Sequence, residues 1–399
     1  MQLYSLKEQI EYLVEYLERR EKFDYSSVRI VVSPYRISPL GAHIDHQGGP
    51  VIGMTINARS VLAYIPNIDG KIRLYSANYP GMVEFSMDNV KTPNRDDWGR
   101  YVMGAAKVFR ERKHIKLGFT GVIMGTLPAS GLSSSASVGL AYIKALADVN
   151  DFELTDKEYI YLDSLIENDF LKLQNGILDQ CSIVYGKKNH ISYIDTLSGN
   201  ATLHPKPDSV EKFKMLILFT GLTYQLTSSG FNKRVKACDK TAMLLGTMGG
   251  LKSARIFSDI CKEIYLANEK RLPTELKHWA KHYFSEVHRV ESGIKAWDEG
   301  NWDELGKLMN QSSLSTIENY DKGSAEAGRL FELAVSQSGV YGAAINGGGY
   351  GGCVVALVNE GFSENSAYEI MAQYKNEFPK LKEKAEVFFA ESDQGLRII

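Results

Sequence analysis

Pro128-Ala129-Ser130-Gly131-Leu132-Ser133-Ser134-Ser135-Ala136 leads from small, flexible residues straight into a helical pattern. Ala136, Leu140, Ile143 and Leu146 recur at spacings of four and three, which predicts a helix over 133–149. A helix start carries free N–H groups and the positive end of the macrodipole. Glycine lets the backbone approach an anion closely, and serine hydroxyls add donors or a ligand for Mg2+. That is the chemistry of a phosphate cradle. No Lys follows the glycine, so the Walker pattern is absent. The competing reading is an N-cap, for which serine is favoured, although three adjacent serines exceed what one cap needs.

Three further stretches carry chemistry. Asn346-Gly347-Gly348-Gly349-Tyr350-Gly351-Gly352-Cys353 lies between two apolar runs, 340–345 and 353–358, that read as strands. Its glycines permit positive φ and close approach to a ligand, whereas a hairpin turn needs only one or two of them. Ser33 to Gly49 (SPYRISPLGAHIDHQGG) follows an apolar strand over 28–32 and suits substrate binding by a polar loop. His43 and His46 lack a third metal ligand. His278 and His282 stand at i,i+4 without the glutamate of an HExxH site and read as a solvated helix face. Asn175-Gly176-Ile177-Leu178-Asp179-Gln180 places an Asp in an apolar turn, where it is a cap, a solvated loop residue or a catalytic base.

Outward from these stretches, strands and helices interleave. Strands are expected over 51–56, 60–65, 74–77, 212–219 and 385–389, and helices over 1–20, 97–111 and 156–173. His-Pro-Lys-Pro-Asp-Ser at 204–209 marks a boundary between domains over 1–207 and 208–399. The expected class is α+β, with two layers facing each other across a cleft. Lys and Arg number 46 against 48 Asp and Glu, a net charge of −2 that argues against bulk attraction to nucleic acid or anionic membrane. Cys181, Cys238, Cys261 and Cys353 form no CxxC pair, which favours free buried thiols in a reducing compartment. No apolar run approaches a membrane span, and the first twenty residues lack a signal-peptide core. A cytoplasmic protein is expected, monomeric or homodimeric.

Taken together and in order, the Arg-…-Gly-x-His-x-Asp, Pro-x-x-Gly-Leu-Ser-Ser-Ser-Ala and Gly-Gly-Gly-Tyr-Gly-Gly-Cys stretches resemble the GHMP kinase family, and within it the galactokinases. Glu167-Asn168-Asp169-Phe170, NWDELGKLMN (301–310) and GVYGA (339–343) add to the likeness, which spans about residues 28–360. The resemblance implies an N-terminal domain with a left-handed β-α-β crossover, a ferredoxin-like C-terminal domain and an active site between them. It implies ATP and Mg2+, and phosphate transfer to a sugar C1 hydroxyl. By position it assigns catalysis to Asp179 and Arg36. It assigns nucleotide contacts to Gly131, Leu132, Ser133, Ser134, Ser135, Ala136, Gly348 and Gly349, with Trp98 and Tyr101 lining the adenine pocket. Mg2+ falls to Ser135 and Glu167. Sugar contacts fall to Ala42, His43, Asp45, Gly176, Tyr224 and Phe231.

Departures from the galactokinase pattern bear on substrate. Ala42 replaces the glutamate that meets the sugar C6 hydroxyl in that family, and Phe231 replaces a usual tyrosine. A glutamate would repel a C6 carboxylate, and Ala42 removes that repulsion. The loop is similar to that of galacturonokinases, so D-galacturonate is the expected substrate. Tyr35, Tyr224, Thr223, Gln225, Lys233 and Arg234 are candidate donors to the carboxylate. A galactokinase with relaxed C6 selection and a non-catalytic sugar sensor are the alternatives; the intact serine stretch and Asp179 argue against the sensor.

Overall fold

The structure, a computed structural model, describes residues 3–94, 97–113, 115–126, 128–208, 212–222, 230–320, 323–347 and 352–399. The first half runs α1 (Leu6–Glu18), β1 (Arg29–Leu40), β2 (Val51–Asn67), β3 (Lys71–Ser76), β4 (Met82–Ser86), α2 (Arg100–Lys113), β5 (Gly118–Gly125), α3 (Ser134–Val149), α4 (Asp156–Leu165), α5 (Leu178–Val184), β6 (His190–Asp195) and β7 (Asn200–Pro205). The second runs β8 (Phe213–Phe219), α6 (Phe231–Met248), α7 (Lys262–Asn268), α8 (Thr274–Asp298), α9 (Trp302–Asn319), α10 (Ala325–Val335), β9 (Val340–Asn346), β10 (Cys353–Asn359), α11 (Glu364–Glu377), β11 (Val387–Ala390) and β12 (Arg397–Ile398).

Period-two alternation buries both faces of the first sheet. Ile30, Val32, Val61 and Ala63 pack under α1, while Val31, Leu62 and Tyr64 pack with α2 and α3. Each such side chain contributes roughly 1.5–3 kcal/mol when removed from water. The strand order is β12-β1-β2-β5-β3-β4, with β6 on the start of β2 and β7 on β6. The second sheet is antiparallel in the order β11-β8-β10-β9. Counted along that half, the order is fourth-first-third-second, with helices after the first and third strands; this is a ferredoxin-like arrangement. The chain passes from one sheet to the other between Pro205 and Phe213.

The two sheets share a core. Ile37, Leu40, Met54 and Ile56 of the first meet Ile217, Phe219, Val355 and Leu357 of the second. The cleft therefore opens beside a packed interface. The chain end also returns to the first sheet: β12 pairs with β1, and Asp393 N donates to Thr55 O at 3.1 Å.

Three expectations about elements are corrected. The two strands expected over 51–56 and 60–65 are one 17-residue strand. Pairing with β1 skips from Pro34↔Arg59 to Tyr35↔Ile56, so the polar stretch between them is a bulge that bends the strand without ending it. The helix expected to reach 173 ends at Leu165 and continues as a π-helical turn, Ile166–Phe170, closed by Leu171 N donating to Ile166 O at 2.9 Å. Cys181, Cys238 and Cys353 are free and buried, but Cys261 is exposed. Among the described residues no helix is long and apolar enough to cross a membrane.

Candidate active site

A cavity of about 870 Å3 opens between the sheets, lined by β1, the start of α3, α5 and the end of β9. Arg36 of β1 lies at its floor, with a side chain only 6% exposed. Its Nε donates to Asp179 Oδ1 at 2.8 Å, and Nη2 lies 2.7 Å from the same oxygen. Nη1 donates to Gly131 O at 3.0 Å and to Asn346 Oδ1 at 3.1 Å. One buried guanidinium thus joins the Asp of α5, the serine-rich stretch and the glycine cluster. Asn346 has no assigned role in the sequence reading. Its one signal there is its place directly before the glycine run. Asp179 is not a cap: Ile177 is the N-cap of α5, and no side chain caps that helix. The carboxylate remains 23% exposed, toward the cleft that it lines.

The start of α3 decides between cradle and cap. Ser133 occupies the N-cap with φ of +60°, makes no capping hydrogen bond, and leaves its buried Oγ without a partner. The N-cap reading of that serine fails, and the hydroxyl stays available beside the cavity that Ser134 and Ser135 also line. Gly131 has φ of +89°, and a Cβ there would lie 2.7 Å from Asn346 O and 3.0 Å from Cys353 N. Only glycine lets these two segments, more than two hundred residues apart, touch. Trp98 and Tyr101 line the same cavity. Tyr79, which has no role in the sequence reading, stacks on Trp98 with centroids 6.4 Å apart and planes at 13°. Gly348, Gly349 and Tyr224 lie outside the described residues, as does the side chain of Phe231.

Glu167 is carried by the π-helical turn and is 1% exposed. Its Oε2 accepts from Asn175 Nδ2 at 2.8 Å and Gln180 Nε2 at 3.2 Å, while Oε1 has no partner. Burial first, then the charge of Asp179, push the carboxyl up to about 7, against hydrogen bonds from Asn175, Ser135 and Gln180. A buried carboxylate with one free oxygen beside a serine hydroxyl fits Mg2+, which binds one or two protein ligands and completes its shell with phosphate and water.

This carboxyl makes metal-free stability depend on pH. It binds its proton more tightly in the folded chain, near 7, than at its ordinary value of 4.5. The folded state therefore holds the extra proton between those values, and stability falls as pH rises through them. Relative to Glu167→Gln, the unaltered protein in EDTA should lose about 3 kcal/mol between pH 4.5 and 7, and little more above. Paired melting curves check this; parallel curves would mean that the carboxyl is not desolvated.

The sugar-loop residues also line the cavity. Ala42, His43, Asp45 and Gly176 all border it. His43 stacks on Tyr320 with centroids 4.5 Å apart and planes at 2°, and His46 Nε2 meets Tyr320 Oη at 2.7 Å. Burial, then the neighbouring Arg234, hold His43 well below the usual histidine range. Burial and then Asp179 push Asp45 up to about 6. A Cβ on Gly176 would overlap the Asp45 carboxylate and sit 2.8 Å from His46 N. Gly176→Ala should therefore displace Asp45 and raise the sugar KM tenfold or more, with the ATP KM within twofold. An unchanged sugar KM would remove Asp45 from the sugar contacts. Arg234 is 3% exposed, with its guanidinium carbon 5.5 Å from the Tyr320 ring centroid. Tyr35 lines the cavity while its Oη donates to Thr126 O at 3.1 Å.

His282 is not on a solvated face. It is fully buried, with Nε2 2.8 Å from Ala42 O and Nδ1 3.0 Å from Ser315 Oγ. The i,i+4 spacing from His278 put both on one helical face, but α9 and the turn at Ala42 cover the His282 end of it.

Comparison with known proteins agrees with this geometry. Residues 100–187 match the family GHMP kinases N terminal domain, and residues 293–380 match GHMP kinases C terminal. The chain is 38% identical over 380 residues to a galacturonokinase of Arabidopsis thaliana, covering 90% of this chain and 89% of that one. It is 31% identical over 348 residues to a galactokinase of Clostridium perfringens, covering 86% and 89%. Among solved structures, Lactococcus lactis galactokinase complexed with galactose superposes with a TM-score of 0.88 at 28% identity, covering 98% of this chain and 99% of that one.

Proposed function

Because this chain belongs to the GHMP kinase family, we propose that it is an ATP-dependent sugar kinase. It moves the γ-phosphate to the anomeric C1 hydroxyl of D-galacturonate, giving galacturonate 1-phosphate and ADP. The observation that carries this reading is the Arg36–Asp179 pair at the cleft floor, next to the uncapped start of α3. Phosphoryl transfer needs little covalent help from the protein, so catalysis is positioning and charge stabilisation. The amides and hydroxyls at 131–136 hold the phosphates. Asp179 orients the C1 hydroxyl and accepts its proton. An anomeric hydroxyl is more acidic than an ordinary alcohol, so a modest base suffices. Arg36, fixed by three acceptors, stabilises the negative charge that develops. Ser135 and Glu167 hold Mg2+, which supplies charge neutralisation at the phosphates.

Support for galacturonate comes from Ala42 and from the likeness to a plant galacturonokinase over most of both chains. The likeness to galactokinases and the retained His43 and Asp45 favour a second reading, a galactokinase with relaxed C6 selection. ADP release with Mg2+ and ATP, measured across galacturonate, glucuronate, galactose, glucose and no sugar, separates the two. Galacturonate should lead by tenfold or more in kcat/KM; equal or better use of galactose would overturn the first reading. No release above the sugar-free control would overturn both.

A further inference from the structure

The turn that carries Ala42 is held from outside its own domain. Glu286 of α8 is fully buried, and its Oε1 accepts from two consecutive amides, Gly41 N at 2.8 Å and Ala42 N at 3.2 Å. The same oxygen accepts from Ser312 Oγ at 2.6 Å, while Oε2 pairs with Arg289 Nε at 2.7 Å. One helical turn earlier, His282 meets the other side of the same residue, at Ala42 O. A carbonyl can only accept, so Nε2 carries the hydrogen and Nδ1 accepts from the Ser315 hydroxyl. Both polar groups of the Ala42 backbone are thus taken by side chains about 240 residues further along the chain.

A buried ion pair alone does not explain this arrangement. Arg289 already neutralises Glu286, yet the carboxylate is placed so that its second oxygen gathers both amides. The next residue, His43, has φ of +60°, an uncommon setting for a side-chain-bearing residue. Such a setting persists only where its surroundings over-determine it. Here the clamp on Ala42 precedes it and the Tyr320 ring stacks on it. Ala42 and His43 are the residues of this turn that border the cleft.

We propose that Glu286 and His282 are positioning residues for sugar selection. They hold the 41–42 peptides from the second half of the chain and so set where Ala42 and His43 meet the sugar. This rests on the reading of that turn as sugar-facing. The selecting surface is then assembled by both halves of the fold, and a change on α8 that touches no substrate alters which sugar is used.

The test uses two double variants, because removing Glu286 alone would strand the buried Arg289 charge. Glu286→Gln with Arg289→Met keeps an acceptor oxygen for the two amides; Glu286→Leu with Arg289→Met removes it. The glutamine form should stay within threefold of the unaltered protein. The leucine form should raise the sugar KM tenfold or more and shift the galacturonate-to-galactose ratio of kcat/KM at least fivefold, with the ATP KM within twofold. If the leucine form does not melt cooperatively, His282→Leu against His282→Gln carries the same comparison at the carbonyl end, where no charge is stranded and glutamine restores the donor. A folded leucine variant with sugar KM and sugar ratio within twofold of the unaltered protein overturns the proposal. So does an equal rise in sugar and ATP KM, which is what general loosening gives. Each KM shift is read on whichever sugar the unaltered protein prefers. A preference for galactose would overturn the substrate reading and leave this test intact.

Discussion

Replacing Asp179 by Asn is expected to lower kcat about a thousandfold while leaving ATP affinity within twofold. Positioned acid–base groups are typically worth 10²–10⁴ in rate, and an amide neither accepts the C1 proton nor carries the charge that balances Arg36. The substitution is nearly isosteric, and Asn Oδ1 can still accept from Arg36 Nε where Asp179 Oδ1 now does at 2.8 Å. Arg36 keeps Gly131 O and Asn346 Oδ1, so the floor of the cleft should hold its shape. Breaking a fully buried ion pair costs about 3–5 kcal/mol. Asp179 is 23% exposed, so the stability loss should fall below that range. ADP release and ATP titration by calorimetry, on a variant that still melts cooperatively, make the measurement. Turnover near that of the unaltered protein would remove Asp179 as the base. Loss of ATP binding would place it in the nucleotide site.

Ala42→Glu should invert the sugar preference. Two unit charges about 4 Å apart repel by roughly 4 kcal/mol at an effective dielectric of 20. That is about a thousandfold in affinity, so kcat/KM for galacturonate should drop by up to that factor. Galactose has no charge at C6 and should change little or improve. The structure sharpens the expectation. Ala42 cannot swing its backbone away, because its N–H is held by Glu286 and its carbonyl by His282. The added carboxylate must therefore be accommodated at the edge of the cavity. Parallel kinetics on the two sugars read the result. If their ratio moves less than tenfold, Ala42 is a relaxed contact and the discrimination lies elsewhere.

Much of the candidate site was legible in residue types. A glycine and serines entering a helix, a glycine cluster between two strands and a polar loop after a strand are local patterns, completed within about ten residues of chain. The helix expected over 133–149 is α3, Ser134–Val149, for the same reason. What the local pattern left open was which alternative each residue serves. Asp179 read equally as a cap, a loop residue or a base, and the contact with Arg36, 143 residues earlier, excludes the cap. The serines read as a cap or a cradle until the backbone of Ser133 turned left-handed and its hydroxyl was left without a partner.

The errors have a common cause. His282 was expected on a solvated face because periodicity reports which residues share a face, not what covers it. Glu286, in a charged helix, reads as an ordinary solvated residue, and nothing nearby marks it as the acceptor for two amides 245 and 244 residues away. Glu167 was named by its type, but only a π-helical turn packed against α5 buries it and leaves one oxygen free. The amino-acid sequence by itself determined the elements, the family and the chemical inventory of the cleft, because these rest on short-range periodicity, capping and backbone freedom. The tertiary structure alone decided which groups are desolvated, paired or left reaching into the cleft, because burial and charge are properties of neighbours that the chain brings together only when its two halves close on a shared core.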